Sequence, residues 1–343
     1  MRVGLLGAFP PTACGVADYC GNLADALEAL GVSVERLGRG GGPAGSAGLA
    51  RRLERRGLDL LHVQYPAVGL HRTVAPHLLA LLPRRCAVVV TLHEFSRSHR
   101  LRRLADGAFV RADFLFFTTD YERRAFGVAH PAAAARARVL PIGCNLPPCR
   151  ARVARRPGTV AYFGLLRPNR GIEAFLELAA LSQRLGRPYR FAVVGRPQDG
   201  REFYARALQS LPGSGGVEWL VGLPAQAAAD QLAAFEFAYL PYPDGATERR
   251  GSLLAALAAG LDVLTTRSAE APVELARCVR FAEGPASALR SLDCGDSGGR
   301  ARRARAEAAR RFLSARAWGT VADAHVEVYE RLAGRRGPRP RGA

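Results

Sequence analysis

The 343-residue sequence contains no lysine, so arginine supplies its strong positive charge. The 49 arginines outnumber the 30 acidic residues and give a formal net charge of +19. A charge of this sign is compatible with nucleic acid or an anionic membrane as a partner. However, no ladder of basic and aromatic residues and no nucleic-acid-binding motif occurs, and part of the charge lies in an Arg-rich tail at 334–343 that is predicted to be disordered. We therefore expect no nucleic-acid partner.

Long apolar runs and paired cysteines are also lacking. No apolar run reaches the about 20 residues of a membrane span, and the N-terminus enters a strand pattern without the features of a signal peptide. The seven cysteines are scattered, odd in number and never spaced as Cys-x-x-Cys. This usage is typical of a reduced protein, and we expect a cytoplasmic one.

Several motifs that assign a chemistry are missing as well. The sequence has no Asp-x-Asp, no Walker loop, no Gly-x-Ser-x-Gly and no zinc-ligand spacing. The loop after the first predicted strand is not a Gly-x-Gly-x-x-Gly fingerprint, which disfavours a nicotinamide dinucleotide. We therefore expect no metal site and no cofactor.

Short apolar runs alternate with helical patterns along the chain. The predicted strands are 2–7, 32–37, 58–64, 87–92, 114–118 and 139–142, then 160–164, 190–195, 217–222, 237–241, 262–266 and 279–281. This alternation predicts an α/β fold with two Rossmann-like, doubly wound parallel-sheet domains that face each other across a ligand cleft.

Pro- and Arg-rich residues at 147–157 divide the two predicted domains. We expect an N-terminal, acceptor-side domain at 1–150 and a C-terminal, donor-binding domain at 151–316. A glycine-rich loop at 38–48 is expected to be mobile.

Residues 244–260 place a polar, glycine-containing loop directly before a short apolar helix. The helix is predicted to begin near Gly251 or Ser252, where the first backbone N–H groups and the positive end of the helix dipole form an anion site. Arg249 and Arg250 lie beside this start. The run resembles the donor-diphosphate site of the retaining family-4 glycosyltransferases with the GT-B fold. In that family two glutamates usually occupy the positions of Thr247 and Ala255.

Residues 163–172 resemble a second run of that family, Gly-Arg-Leu-x-x-x-Lys-Gly. Arg170 falls at the Lys position, and Arg167 is expected to replace the arginine, whose own position is Leu165. Cations are disfavoured at helix N-termini, so two arginines there indicate a bound anion. The resemblance also implies a last helix, 317–333, that crosses back to the first domain.

Two loops of the first domain extend the resemblance. Gly15 and Val16 match a turn that approaches the donor phosphates, and His93, in Thr-Leu-His, matches the histidine that reaches the transferred sugar. His62, at the end of a neighbouring strand that also contains Gln64, fits an ordinary loop histidine at least as well as an acceptor contact.

The resemblance implies three sets of site residues. The catalytic set is His93, Arg167 and Arg170; the donor-binding set is Gly15, Val16, Gly164, Gly195, Asp244, Thr247, Glu248, Arg250, Gly251, Ser252 and Leu253; the acceptor-binding set is Asp18, Tyr19, His62 and Gln64. Because the family glutamates are absent, we expect Glu248 or Asp244, assisted by Thr247 and Ser252, to replace them.

The implied function is metal-independent transfer of a sugar, with retention, from a UDP- or GDP-sugar to a hydroxyl or amine of a small-molecule, lipid or glycan acceptor. The basic run at 97–103 suggests peripheral contact with an anionic membrane, and a solvated helix face is the competing interpretation. Two alternatives stay open: a non-catalytic GT-B homologue that binds a nucleotide sugar or a partner protein, and a GT-B sugar-nucleotide epimerase.

Overall fold

The computed structural model describes residues 1–12, 14–38, 56–67, 70, 75–81, 86–151, 153–198, 200–294 and 299–334. The chain divides into two units, Gly143–Arg316 and a first unit that joins Met1–Ile142 to the segment beginning at Ala317. The dividing point precedes the boundary expected near residue 150. Most of the loop expected to be mobile (39–48) and of the tail expected to be disordered (335–343) lies outside the described residues.

A six-stranded parallel sheet forms the centre of the first unit. Its strands are β1 (Arg2–Leu6), β2 (Ser33–Leu37), β3 (Leu60–Tyr65), β4 (Ala87–Leu92), β5 (Phe114–Phe117) and β6 (Ala137–Val139), in the order β2-β1-β3-β4-β5-β6. Every residue of β3, β4 and β5 is buried, as a parallel sheet covered on both faces requires. The helices between these strands are α1 (Gly15–Ala29), α2 (Ala75–Leu81), α3 (Arg100–Asp106) and α4 (Asp120–Ala129).

The second unit repeats this architecture with a different strand order. Its strands are β7 (Arg156–Leu166), β8 (Arg190–Pro197), β9 (Val217–Val221), β10 (Phe235–Leu240), β11 (Asp262–Thr265) and β12 (Arg280–Phe281), in the order β12-β11-β10-β7-β8-β9. All neighbouring strands are parallel. Its helices are α5 (Ile172–Arg184), α6 (Glu202–Leu208), α7 (Ala225–Ala233), α8 (Gly251–Ala258), α9 (Val273–Ala276), α10 (Gly284–Asp293) and α11 (Arg300–Ser314). The predicted pair of Rossmann-like parallel sheets is confirmed.

The last helix, α12 (Trp318–Gly334), belongs to the first unit. It packs against α1 and β3, and its buried side chains include Val321, His325 and Tyr329. The first unit is therefore assembled from both ends of the sequence. Among the helices that the structure describes, none combines the length and the apolar character that a transmembrane span needs.

Two predicted boundaries differ from the structure for identifiable reasons. The strand expected at 139–142 lies at Ala137–Val139, because Pro141 has no N–H to contribute to a ladder. The segment expected to link the domains is held on α7, where Asp230 accepts from the N–H of Arg150 at 2.8 Å and Gln226 donates to the carbonyl of Pro148 at 3.0 Å. These residues are part of the second unit.

Candidate functional site

The start of α8 is the centre of the candidate donor site. The helix begins at Gly251, so the predicted start is confirmed, and its N-cap residue Arg250 has extended backbone and no side-chain cap. The N–H of Leu254 is the first to donate within the helix, to the carbonyl of Arg250 at 3.0 Å. The amides of Gly251, Ser252 and Leu253 precede it, at the positive end of the helix dipole, which favours an anion.

Two other elements reach this helix start. Gly164, near the end of β7, lies so close to Ser252 that a Cβ on Gly164 would be 3.6 Å from the Cβ of Ser252. The hydroxyl of Tyr242, just after β10, lies 2.7 Å from the hydroxyl of Ser252. Burial raises the pKa of Tyr242 to about 12, so the phenol stays neutral and keeps its proton for hydrogen bonding.

The loop between β7 and α5 carries Arg170 to the same place. Gly171 has a φ of 79°, and a Cβ there would lie 1.9 Å from the carbonyl oxygen of Pro241, so only glycine fits. The carbonyl of Arg170 accepts from the hydroxyl of Tyr162 at 3.3 Å. The charge of Arg170 lowers the pKa of Tyr162 and of Tyr242, partly offsetting the rise that burial causes. Arg170 is therefore within electrostatic reach of the hydroxyls beside Ser252.

The remaining arginines near the site differ in their partners. Arg249 lies 3.2 Å from Glu270, and Arg250 pairs with Asp244 while its guanidinium lies 4.7 Å from the ring centre of Tyr242. The side chain of Arg167, the residue after β7, forms no hydrogen bond or ion pair with any other residue that the structure describes.

The carboxylates expected to replace the family glutamates already have cationic partners. Glu248 pairs with Arg316, and the two side chains are 13% and 10% exposed. Asp244 pairs with Arg250 and is 41% exposed. Thr247 is buried, and Ala255 lies in the buried face of α8. The structure thus places Glu248 in a largely buried ion pair, whereas we had expected it to be open to a ligand hydroxyl. The sequence carries no local signal for this pair, since its members are 68 residues apart.

Asn145 was not among the predicted site residues, yet it lies beside the start of α8. A Cβ on Gly251 would be 3.6 Å from Nδ2 of Asn145. Its Oδ1 is buried and has no hydrogen-bond partner among the described residues. Only its place in the run 140–145, which follows β6, could have suggested a role.

Gly195 and Gly222 allow the ends of three strands to approach. A Cβ on Gly195 would lie 2.4 Å from the carbonyl oxygen of Gly164, and the carbonyl of Gly195 accepts from the N–H of Gly222 at 2.8 Å. The ends of β7, β8 and β9 therefore lie close together, with Gly195 between Gly164 and Gly222.

In the first unit, the structure brings the predicted histidine together with three other predicted residues. Nε2 of His93 lies 2.9 Å from Oε1 of Gln64, and the ring of Tyr19 meets the His93 ring edge-on at 5.0 Å between centres. The amide nitrogen of Gln64 lies 3.0 Å from Nε2 of His62. His93 is 6% exposed and Gln64 is fully buried.

His62 and Tyr19, predicted to bind an acceptor, lie in the interior. The ring nitrogens of His62 lie 2.5 Å from the hydroxyl of Tyr329 and 2.7 Å from that of Thr91, so both have partners. Tyr19 is 2% exposed and packs between His93 and Trp318. Because side chains in such positions are shielded from solvent, a supporting role fits them better than acceptor contact.

The first loop is more open. Gly15 begins α1 after the N-cap residue Cys14, and apart from its chain neighbours and the backbone of its own helix, no atom of the described residues lies within 4 Å of a Cβ built on Gly15. Val16 packs partly against the core of the unit, while Asp18 is half-buried and its carbonyl accepts from Asn22 at 2.8 Å. This loop therefore has space on the side of Gly15, as the approach of a ligand would require.

Comparison with known proteins gives a likeness of fold. No protein-family model and no curated protein matches the sequence. Among solved structures, sucrose-phosphate synthase from Thermosynechococcus elongatus has a TM-score of 0.74 at 13% identity, covering 98% of this chain and 100% of that chain. HepE from Anabaena, in complex with UDP, has a TM-score of 0.68 at 16% identity, with coverages of 96% and 100%.

A glycosyltransferase from Rickettsia africae has a TM-score of 0.66 at 12% identity, covering 96% of this chain and 98% of that chain. Identities this low show the fold alone. The chain has the fold of the GT-B glycosyltransferases, with two Rossmann-like units that each contain a six-stranded parallel sheet.

Proposed function

We propose that this protein is a glycosyltransferase that takes its sugar from a nucleoside diphosphate donor, UDP- or GDP-linked, and that the second unit binds this donor. The observation that carries the proposal is that Gly164 and the hydroxyl of Tyr242 adjoin Ser252 at the uncapped start of α8, within electrostatic reach of Arg170. A diphosphate needs hydrogen-bond donors and positive charge, and this place supplies backbone amides, a hydroxyl pair and a guanidinium.

In this proposal the donor diphosphate is held without a metal ion. Charge that develops on the leaving phosphate is stabilised by Arg167, Arg170 and the amides of Gly251, Ser252 and Leu253. Such groups are most effective when they are positioned before the reaction starts, and Gly171 fixes the loop that carries Arg170. The support for this role is the sequence run around Arg170 and the absence of Asp-x-Asp from the sequence.

Retention at the anomeric carbon follows from the resemblance to family 4. A leaving phosphate oxygen on the same face of the sugar accepts the acceptor's proton, so no carboxylate nucleophile is required. His93 contacts the transferred sugar in this proposal, and Gly15 and Val16 approach the donor phosphates. The acceptor is a hydroxyl or amine of a small molecule, a lipid or a glycan.

A peripheral membrane contact through α3 is part of the proposal. Leu101 and Leu104 are 73% and 78% exposed, and residues three apart share one face of a helix. Arg97 and Arg100 add exposed positive charge nearby. Exposed leucines beside arginines match a surface of anionic lipid.

A non-catalytic homologue that binds a nucleotide sugar is the second candidate. The pairing of Glu248 with Arg316 favours it, together with Thr247 and Ala255 at the positions of the family glutamates. Such a protein would bind the donor without consuming it.

The decisive experiment separates binding from turnover. Thermal unfolding is measured with UDP, GDP, ADP and the matching nucleosides, since a ligand at 100 times its Kd adds about 2.7 kcal/mol of stability. Release of nucleoside diphosphate from UDP- and GDP-sugars is then measured with an acceptor panel. Binding with turnover supports the transferase, binding without turnover supports the second candidate, and stabilisation by no nucleotide contradicts both. Product analysis with donor alone detects an epimerase.

A further inference from the structure

Four buried polar side chains contact one another in sequence through the interior of the first unit. The series runs from His93 on the loop after β4 to Gln64 and His62 on β3, and ends at Tyr329 on α12. The exposed fractions are 6% for His93 and 0% for the other three. Because these side chains are shielded from water, their polar atoms have to find hydrogen-bond partners among the neighbouring protein groups.

The amide of Gln64 determines which atoms in this series carry protons. Its oxygen can only accept, so Nε2 of His93, at 2.9 Å, must be protonated. Its nitrogen can only donate, and it lies over the face of the His62 ring, 3.0 Å and 3.4 Å from the two ring nitrogens, which have the hydroxyls of Thr91 and Tyr329 as their other partners. Burial lowers the pKa of His62 well below its ordinary value, so this ring is neutral and its face attracts an N–H group rather than repelling it. Turning the amide over would place its N–H groups against Nε2 of His93 and reverse that histidine's tautomer.

The backbone of His93 and the loop that follows it are also restrained. Its backbone N–H donates to the carbonyl of Tyr65 at 2.8 Å. The buried carboxylate of Glu122 accepts from the N–H groups of Phe95 and Ser96 at 2.8 Å and 2.7 Å, which fixes the loop that follows. The backbone that carries the His93 ring is thus held in place on both sides. When Nε2 carries the proton, the lone pair is on Nδ1, so the tautomer determines which ring nitrogen donates and which accepts.

We propose that Gln64 is a positioning residue that holds His93 in the tautomer protonated on Nε2, and that His62, anchored by Tyr329, keeps the amide in the orientation this requires. The relevance to sugar transfer rests on the function proposed above for His93. The tautomer itself does not depend on that function.

The test is a spectrum of the histidine side-chain nitrogens of the full-length, ¹⁵N-labelled protein, with His93 assigned by comparison with His93→Gln. The expected wild-type spectrum has His93 protonated on Nε2. Gln64→Leu removes the accepting oxygen and should abolish this preference, whereas Gln64→Glu keeps an accepting oxygen and should preserve the Nε2 proton. Gln183→Leu, the same change at an exposed position of α5, is the matched control and should leave the spectrum unchanged.

Activity gives an independent measurement. Gln64→Leu should lower kcat about tenfold while KM for the donor stays constant, since one hydrogen bond is lost at a group that acts in the reaction. A wild-type proton on Nδ1, or an unchanged His93 signal in Gln64→Leu, overturns the proposal. If Gln64→Leu does not fold, the wild-type and Gln64→Glu spectra still decide. If His93 has the expected tautomer but the protein transfers no sugar, the proposed function is contradicted. The role of Gln64 in setting the tautomer would still stand.

Discussion

The carboxylate of Glu248 is paired with the guanidinium of Arg316, the last residue of the second unit. Arg316 also donates to the carbonyl of Phe312 at 3.0 Å, and its guanidinium lies 3.6 Å from the centre of that ring. The loop before α8 is thereby tied to the end of α11. We therefore expect this ion pair to stabilise the loop that leads into the candidate donor site. Its contribution to stability can be measured in the absence of any ligand.

Glu248→Ala is expected to destabilise the second unit by about 3 kcal/mol, because it leaves the mostly buried Arg316 charge without its partner. The chain has two tryptophans, Trp219 in the second unit and Trp318 in the first. In a Trp318→Phe background, the fluorescence of Trp219 reports unfolding of the second unit alone. The double variant Glu248→Ala/Arg316→Ala should lose less stability than the two single variants together. Additive losses would show that the pair contributes nothing.

Arg170→Ala is expected to weaken UDP or GDP binding by roughly 10- to 100-fold, because a charge-assisted contact contributes about 1.5–3 kcal/mol. The corresponding nucleosides should bind equally well to both proteins. Arg184→Ala, on the exposed end of α5, is the matched control. Titration calorimetry provides the constants, and an unchanged diphosphate Kd in Arg170→Ala would remove this residue from the site.

Chelation is expected to leave donor binding unchanged. If arginines and the start of α8 supply the positive charge, UDP and GDP should bind with the same Kd in excess EDTA and in excess Mg²⁺. Calorimetry on EDTA-treated protein makes the comparison. Loss of binding on chelation, with recovery on adding Mg²⁺, is the contrary result.

The first unit is expected to lose stability as the pH falls from 6.5 towards 4. Burial lowers the pKa of His325 from 6.5 to about 4, so the unfolded chain takes up a proton in this range that the folded protein does not. The contribution of a buried neutral histidine to the free energy of unfolding is fully present above pH 6.5. Below that pH, each such histidine lowers the free energy of unfolding by at most about 1.4 kcal/mol per pH unit. In a Trp219→Phe background, denaturant unfolding followed at Trp318 should show a shallower pH dependence for His325→Leu. His62, whose pKa is also lowered, leaves a residual slope. An identical pH dependence in both proteins would contradict the assignment.

The exposed leucines of α3 are expected to support binding to anionic vesicles. Leu101→Ser/Leu104→Ser should reduce sedimentation with such vesicles, whereas Val128→Ser, at another exposed apolar position, should not. The electrostatic part should weaken between low and physiological salt. If the wild-type protein fails to sediment with anionic vesicles even at low salt, the membrane contact is absent and α3 is an ordinary solvated helix.

The parts that the sequence predicted are those with a local signal. Continuous apolar runs predicted the parallel strands, and a polar loop leading into an apolar helix predicted the start of α8 at Gly251. The contacts of Glu248 with Arg316 and of Gln64 with His93 were not predictable. The residues of these pairs are 68 and 29 positions apart, so no helix or strand periodicity in the sequence connects them. For the same reason the sequence placed His62 at an open strand end, although α12 covers it.

Tyr329 also sets an order of events during synthesis. It is 267 residues later in the sequence than its partner His62, so the whole second unit leaves the ribosome before this contact can form. Domains usually fold from the N-terminus as the chain emerges. Here the unit that contains β3 begins to appear before the second unit and is completed after it, and a nascent chain carries β3 without its final cover until α12 has been synthesised.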